Sequence, residues 1–229
     1  MKSPIVLAVD TTNLSQAQEW VQATREFIGM FKLGLEFFLA NGVEGVERVK
    51  AVAGEIPLFL DLKLHDIPNT VAGAARAISE IKPDFLTVHA SGGAAMVSAA
   101  ADALPSTRIT AVTVLTSLSL HDIQALGVTG EPGEIVTRWA ALSVAAGARA
   151  IVASPHEVVT LRKHLSREIT IITPGVRPAG AAMGDQSRVA TPQEAIGWGA
   201  DYVVIGRPIT SGGSLSEIAA NAERIFCSL

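Results

Sequence analysis

Cysteine is almost absent. Cys227 stands alone, two residues from the end of a 229-residue chain. An internal disulfide is therefore excluded, and the chain reads as a protein of a reducing, cytoplasmic compartment with a spare thiol near a helix end. A basic tail or stripe is also missing: 18 Lys and Arg against 22 Asp and Glu leave a net charge of −4. That excludes a broad nucleic-acid-binding face, so any anionic ligand must be met by local cations and not by a global field. Charged residues are only 17% and hydrophobic ones 48%, which excludes a disordered chain. Long apolar runs are lacking too. None approaches the roughly 20 residues that span a bilayer. The opening "MKSPIVLAVD" has one lysine and an apolar run cut short by Asp10, too brief for a signal peptide. No group of His, Cys and carboxylates has metal-ligand spacing, so no metal site is expected. Asp61 and Asp66 alone offer two carboxylates to a divalent ion.

What the chain has is alternation. Short apolar runs occupy 4–9, 29–33, 57–62, 84–89, 108–115, 148–153, 169–173 and 201–205. Several are near-continuous β-branched or leucine runs, as in strands buried on both faces. Amphipathic stretches lie between them at 14–28, 35–53, 67–81, 93–103, 133–146, 156–166, 192–198 and 214–226, the second broken near "NGVEG". "SPHE" (154–157) and "TPQE" (191–194) carry a Ser/Thr cap, Pro at the first helical position and Glu three residues on. Eight strand–helix repeats without a linker predict a single-domain (β/α)8 TIM barrel. Alternation alone also permits an open doubly wound sheet.

In such a barrel, chemistry gathers where strands end. Polar residues cluster there: Asp10 after the first strand, Lys32 on the second, Asp61 and Lys63 on the third, His89, Thr116 and Ser154 after the next three. "DLKLHDIPNT" (61–70) is the densest case. Asp61 and Lys63 are two apart on a strand, so both side chains point to one face, while Leu60, Leu62 and Leu64 point under the helices. Asp66 follows on the loop, and Pro68 sits in the first turn of the next helix. An isolated D-x-K reads as a structural ion pair. Three such charges beside Lys32 and Asp10 read as a site, because buried ionic clusters are a poor route to stability. "TPGVRPAGAAMGDQSR" (173–188) is rich in Gly and Ala, carries Arg177, Gln186 and Arg188, and reads as a lid. "VIGRPI" (204–209) sets Gly206 and Arg207 at a helix start, where backbone N–H groups suit a phosphate. His89 reads as a hydrogen-bonded core histidine, His65 as a packing or interface residue, "SGG" (91–93) as a helix-start turn, and His121, His156 and His164 as spacer residues.

These residues resemble one family. "DLKLHDIPNT" is similar to the D-x-K-x-x-D-I-P-x-T signature of orotidine 5′-monophosphate decarboxylases. "LAVD" (7–10), "FKLG" (31–34), "VHASGG" (88–93), "LTS" (115–117), "TPGVRP" (173–178) and "VIGRPI" fall in the family's order across nearly the whole chain. The resemblance implies a homodimeric barrel that converts orotidine 5′-phosphate to uridine 5′-phosphate and CO2 in pyrimidine biosynthesis, without cofactor or metal. It implies that Asp10 and Lys32 meet the ribose hydroxyls and that Lys32, Asp61, Lys63 and Asp66 form a row of alternating charge. Asp66 and Thr70 would reach the neighbouring subunit's site, Thr116 would lie by the pyrimidine, and Arg177, Gln186, Gly206 and Arg207 would hold the phosphate.

The chemistry fits the charges. Losing CO2 from the ring leaves an in-plane carbanion with no adjacent carbonyl to delocalise it. Fixed charge is the remaining remedy where no electron sink is supplied. An ammonium about 4 Å from a full negative charge contributes roughly 4 kcal/mol at an effective dielectric near 20. Lys63 is the residue expected to supply it and then to protonate the carbon, with Asp61 and Asp66 keeping it charged and aimed. Three alternatives stand beside this reading. A metal-dependent decarboxylase of sugar-phosphate β-keto acids would carry an acid at the end of the second strand, where this chain has Lys32. A Schiff-base aldolase would need a neutral lysine, which two adjacent carboxylates oppose. A non-catalytic nucleotide-binding dimer would need no charge array.

Overall fold

Each near-continuous apolar run becomes a strand covered on both faces, and the strands meet edge to edge until no free edge is left. The computed structural model describes residues 3–177 and 190–229. The strands are β1 (Ile5–Val9), β2 (Met30–Gly34), β3 (Leu58–Leu64), β4 (Phe85–His89), β5 (Arg108–Val112), β6 (Ala150–Val152), β7 (Thr170–Thr173) and β8 (Tyr202–Ile205). They close in chain order into a parallel barrel, with β8 returning to β1. The open-sheet alternative is thereby excluded.

The outer layer comprises α1 (Leu14–Thr24), α2 (Leu35–Ala53), α3 (Pro68–Ala77), α4 (Ala94–Ala103), α5 (Leu120–Ala125), α6 (Pro132–Ala145), α7 (Val158–His164), α8 (Pro192–Gly197), α9 (Arg207–Thr210) and α10 (Leu215–Cys227). Strand residues of one parity, such as Leu7, Leu33, Leu60 and Val203, pack outward against Val21, Phe37, Val46 and Met96 of the helices. Residues of the other parity fill the barrel: Val6, Met30, Phe59, Phe85, Ala150 and Ile172. Phe85 meets Phe59 and Tyr202 edge-on, with ring centroids 6.0 and 6.3 Å away. This plug fills the barrel interior beneath the strand ends, where ligands bind in such barrels.

The caps behave as the sequence predicts. The Thr191 hydroxyl accepts from Glu194 N at 3.2 Å, and the Glu194 carboxylate accepts from Thr191 N at 2.8 Å. Ser154 N likewise donates to Glu157 Oε2 at 2.9 Å, although the turn it opens is a 3-10 turn before α7 begins. The break in α2 falls at Gly42, whose φ of 60° leaves the helical region. One boundary is corrected, and one helix, α5, has no counterpart in the sequence reading. β5 stops at Val112 and not at 115, because the chain then turns out to form the rim of the mouth. α5 has too few apolar residues to show a period. It is fixed locally instead, by a box in which Ser119 Oγ accepts from Asp122 N and Asp122 Oδ2 accepts from Ser119 N.

Candidate active site

β2 and β3 run side by side with Lys32 opposite Phe59 and Gly34 opposite Asp61. Their inward side chains therefore meet at the mouth. Asp61 is buried and shared: its Oδ2 lies 2.7 Å from Lys63 Nζ and 3.4 Å from Lys32 Nζ. Lys32 Nζ also reaches Asp10 Oδ1 at 3.3 Å. The result is a continuous row, Asp10–Lys32–Asp61–Lys63, drawn from three adjacent strands. Gly34 borders the row; a Cβ there would stand in van der Waals contact with Lys32 Nζ, at 3.4 Å.

The row fixes its own charges. Burial opposes ionisation of Lys32, but the fields of Asp61 and Asp10 outweigh it and raise its pKa. Burial likewise opposes the Asp61 carboxylate, and the two ammoniums, with hydrogen bonds from Lys63 and Thr87, overcome it and lower its pKa. Both groups are thus held ionised, as a field aimed into the cavity requires.

Lys63 is not on a regular strand. Leu60 pairs with Leu86 and Leu64 with Val88, so Asp61, Leu62 and Lys63 face Thr87 alone. The excess is taken up at Lys63, whose φ is 50°; among the described residues only Lys82 is another non-glycine with positive φ. Such a conformation costs an ordinary residue of order 1 kcal/mol or more and gathers at functional sites. The parity argument thus gives the right face, while the backbone that presents Lys63 is a bulge.

Around the row lies a cavity of about 180 Å³. Phe59, Val112, Val152 and Val204 form apolar walls, Leu115, Thr116 and Pro174 the rim, and Lys32, Asp61 and Lys63 the charged side. Such a space offers a ligand apolar walls and one charged side. Thr116 is exposed at the rim, four residues past the end of β5.

The remaining candidates are more dispersed. Arg177 donates from Nη1 to the Val176 carbonyl at 2.9 Å, and its backbone N donates to Ala190 O at 3.0 Å. Gly206 caps α9 close to the first strand; a Cβ on it would stand 3.3 Å from that of Ala8 and 3.5 Å from Asp10 Oδ2. Arg207 follows it at the surface. Gln186, Arg188 and most of the expected lid lie outside the described residues. Asp66 and Thr70 are exposed, and Asp66 Oδ1 accepts from the amide of Ile67 at 2.6 Å. Within one chain Asp66 is thus apart from the row. His89 is corrected: it is half-buried at the end of β4 and its described contact is the ring of His65, with centroids 5.3 Å apart. Burial first, then His65 and Lys63, push its pKa down. Among the described residues, no three His, Cys, Asp or Glu side chains gather as a metal set. Nor is any helix among them long and apolar enough to cross a membrane.

The sequence reading missed Thr87 and the valine walls. A threonine or valine inside an apolar run carries no local mark of what it faces.

Comparison with known proteins agrees with this geometry. The model of the Orotidine 5′-phosphate decarboxylase / HUMPS family matches residues 3–222. A Thermobifida fusca protein named orotidine 5′-phosphate decarboxylase is 51% identical, over 98% of this chain and 97% of its own. One of the same name from Moorella thermoacetica is 46% identical, over 98% and 94%. The crystal structure of orotidine 5′-phosphate decarboxylase from Lactobacillus acidophilus superposes with a TM-score of 0.82 at 30% identity, covering 98% of this chain and 99% of that one. The chain belongs to the orotidine 5′-phosphate decarboxylase / HUMPS family.

Proposed function

We propose that this chain is an orotidine 5′-phosphate decarboxylase in which Lys63 meets and protonates the ring carbanion, without a cofactor, in a cytoplasmic homodimer with shared sites. The observation that carries the reading is the row of fixed charge beside an apolar slot, with Lys63 Nζ 2.7 Å from a buried carboxylate oxygen. Between the activities within the family, Lys32 decides. Its ammonium sits 3.3 and 3.4 Å from Asp10 and Asp61, where a divalent ion would be repelled. Relatives named orotidine 5′-phosphate decarboxylase, at 42–51% identity, point the same way. The paired carboxylate also disfavours the neutral amine that a Schiff base needs. The direct experiment follows the ultraviolet absorbance of orotidine 5′-phosphate on adding the protein. Loss of the substrate band with release of CO2 is expected; binding without conversion would leave a nucleotide-binding protein instead. Turnover should be insensitive to a chelator.

The phosphate is assigned to Arg177, Gln186, Gly206 and Arg207, and the ribose to Asp10 and Lys32. Gly206, close to Asp10 at the end of β8 and capping the helix that Arg207 begins, supports that arrangement. Remote binding energy of this kind can serve the chemical step as well as affinity. Arg207→Ala is therefore expected to raise KM and lower kcat together, with kcat/KM falling about 10- to 100-fold, the size of one or two charge-assisted hydrogen bonds. Steady-state kinetics at saturating and limiting substrate measure both. Unchanged constants would remove Arg207 from the phosphate site.

The exposure of Asp66, Ile67 and Thr70 supports a partner covering this loop. On that reading Asp66 completes the row of the other subunit. Lys63→Ala and Asp66→Ala chains are each expected to be nearly inactive. Mixed and allowed to exchange, half of the dimers carry one intact site, so about a quarter of wild-type activity returns. No recovery after exchange has been verified by mass would refute the shared site.

A further inference from the structure

Resting on the assignment of Lys63 above, we infer that Thr87 is a positioning residue whose hydroxyl holds the β3 bulge and the Asp61 carboxylate in register for Lys63. Thr87 is fully buried on β4, opposite the three residues Asp61, Leu62 and Lys63. Its Oγ1 donates to Asp61 Oδ1 at 2.9 Å and accepts from the Lys63 backbone N at 2.8 Å. The polarity is forced: a backbone N–H can only donate and an ionised carboxylate can only accept, so the single hydroxyl proton must point to Asp61. Where the strand ladder lapses, this side chain supplies the acceptor that the Lys63 amide would otherwise lack. The same oxygen turns Oδ1 of Asp61 away from the cations and leaves Oδ2 for Lys63 and Lys32. The charged groups facing Asp61 are Lys63 on its own strand and Lys32 on β2, with Asp10 beyond Lys32; His89 stands further along β4. None of them ties the carboxylate to the Lys63 backbone. Among the described residues Thr87 alone joins the two, and its branched side chain has little rotamer freedom with which to drift.

Thr87 does not border the cavity and so touches no substrate. Its loss should therefore spare binding and slow chemistry. Thr87→Val keeps the shape and removes the hydroxyl; Thr87→Ala removes both; Thr87→Ser keeps the hydroxyl and removes a methyl. With orotidine 5′-phosphate as substrate, kcat is expected to fall about 10- to 100-fold in the Val and Ala variants, with KM within about 3-fold, because small displacements of a reacting group cost rates of this order. Thr87→Ser should stay within about 3-fold of wild type in both constants. Should the Val variant fail to fold, the Ala and Ser pair decides. Equal loss in Ser and Ala would mean that volume matters and not the hydroxyl, and would overturn the inference. So would an unchanged kcat in Val or Ala. Lys63→Ala, assayed alongside, separates the two levels: if it keeps the rate, the underlying assignment falls; if it is inactive while Thr87→Val is normal, only the role of Thr87 falls.

Discussion

Lys63→Ala is expected to lower kcat by at least about 10^4-fold while leaving a folded barrel. Two losses combine. The first is the fixed positive charge facing the carbanion; removing one preorganised donor to a developing charge costs about 10^2- to 10^3-fold. The second is the proton that replaces CO2, and general acid catalysis contributes about 10^2- to 10^4-fold. The lysine side chain is 37% exposed, so the amine can recover its proton from water after turnover. The fold should survive because the substitution leaves no orphaned charge: Asp61 keeps Lys32 at 3.4 Å and the Thr87 hydroxyl at 2.9 Å. Alanine inherits the positive φ that Lys63 already adopts, so strain does not rise. Single-turnover measurements of CO2 release, with circular dichroism of the same sample, separate chemistry from folding. A variant retaining one-tenth of the wild-type rate would refute Lys63 as the proton donor and leave electrostatics without its central charge.

The barrel was legible because its causes are local and repeated. Apolar runs such as PIVLAV and PLFLDL can be buried on two faces only in a parallel sheet wrapped by helices, and the caps at Ser154 and Thr191 mark where helices begin. The charged row was legible in part: Asp61 and Lys63 share parity, and Lys32 lies on the strand before. The bulge was not. Two extra residues on β3 are visible only when β3 is laid against β4, and the residue that accommodates them, Thr87, lies 26 positions from Asp61. The same holds for the walls. Val112, Val152 and Val204 come from three strands, and only closure of the barrel brings them to one slot. β-propensity can place a valine in a strand, but the face it presents to a ligand is a tertiary property.

Asp61→Asn is expected to damage both rate and stability, and the two effects share one cause. The carboxylate lies between two ammoniums, and its side chain is only 11% exposed. Neutralising it leaves Lys32, 12% exposed, with Asp10 as its acid, and exposes it to the unrelieved field of Lys63. Breaking a buried ion pair from one side costs about 3 kcal/mol or more. In a domain of this length that lowers the melting temperature by roughly 6–12 °C. Turnover should fall at least about 10^2-fold, since Lys63 loses the 2.7 Å contact that aims it. The pH dependence gives an independent check. The Asp61 pKa is lowered by folding from 3.8, so its stabilisation is present above that value and lost as pH falls through the folded one. The Lys32 pKa is raised from 10.5, so its contribution is present below that value and lost as pH rises through the folded one. Wild-type protein should therefore show a broad stability plateau between about pH 4 and 10 from this row, with a falling limb on each side. In Asp61→Asn the acid limb belonging to this group should disappear. The alkaline limb should move to lower pH, because Asp61, the stronger of the two fields that raise Lys32, is gone and only Asp10 remains. Thermal denaturation at a series of pH values reads both limbs. An acid limb identical to that of the wild type would show that Asp61 carries no such linkage, and that the row is held together by something other than its charges.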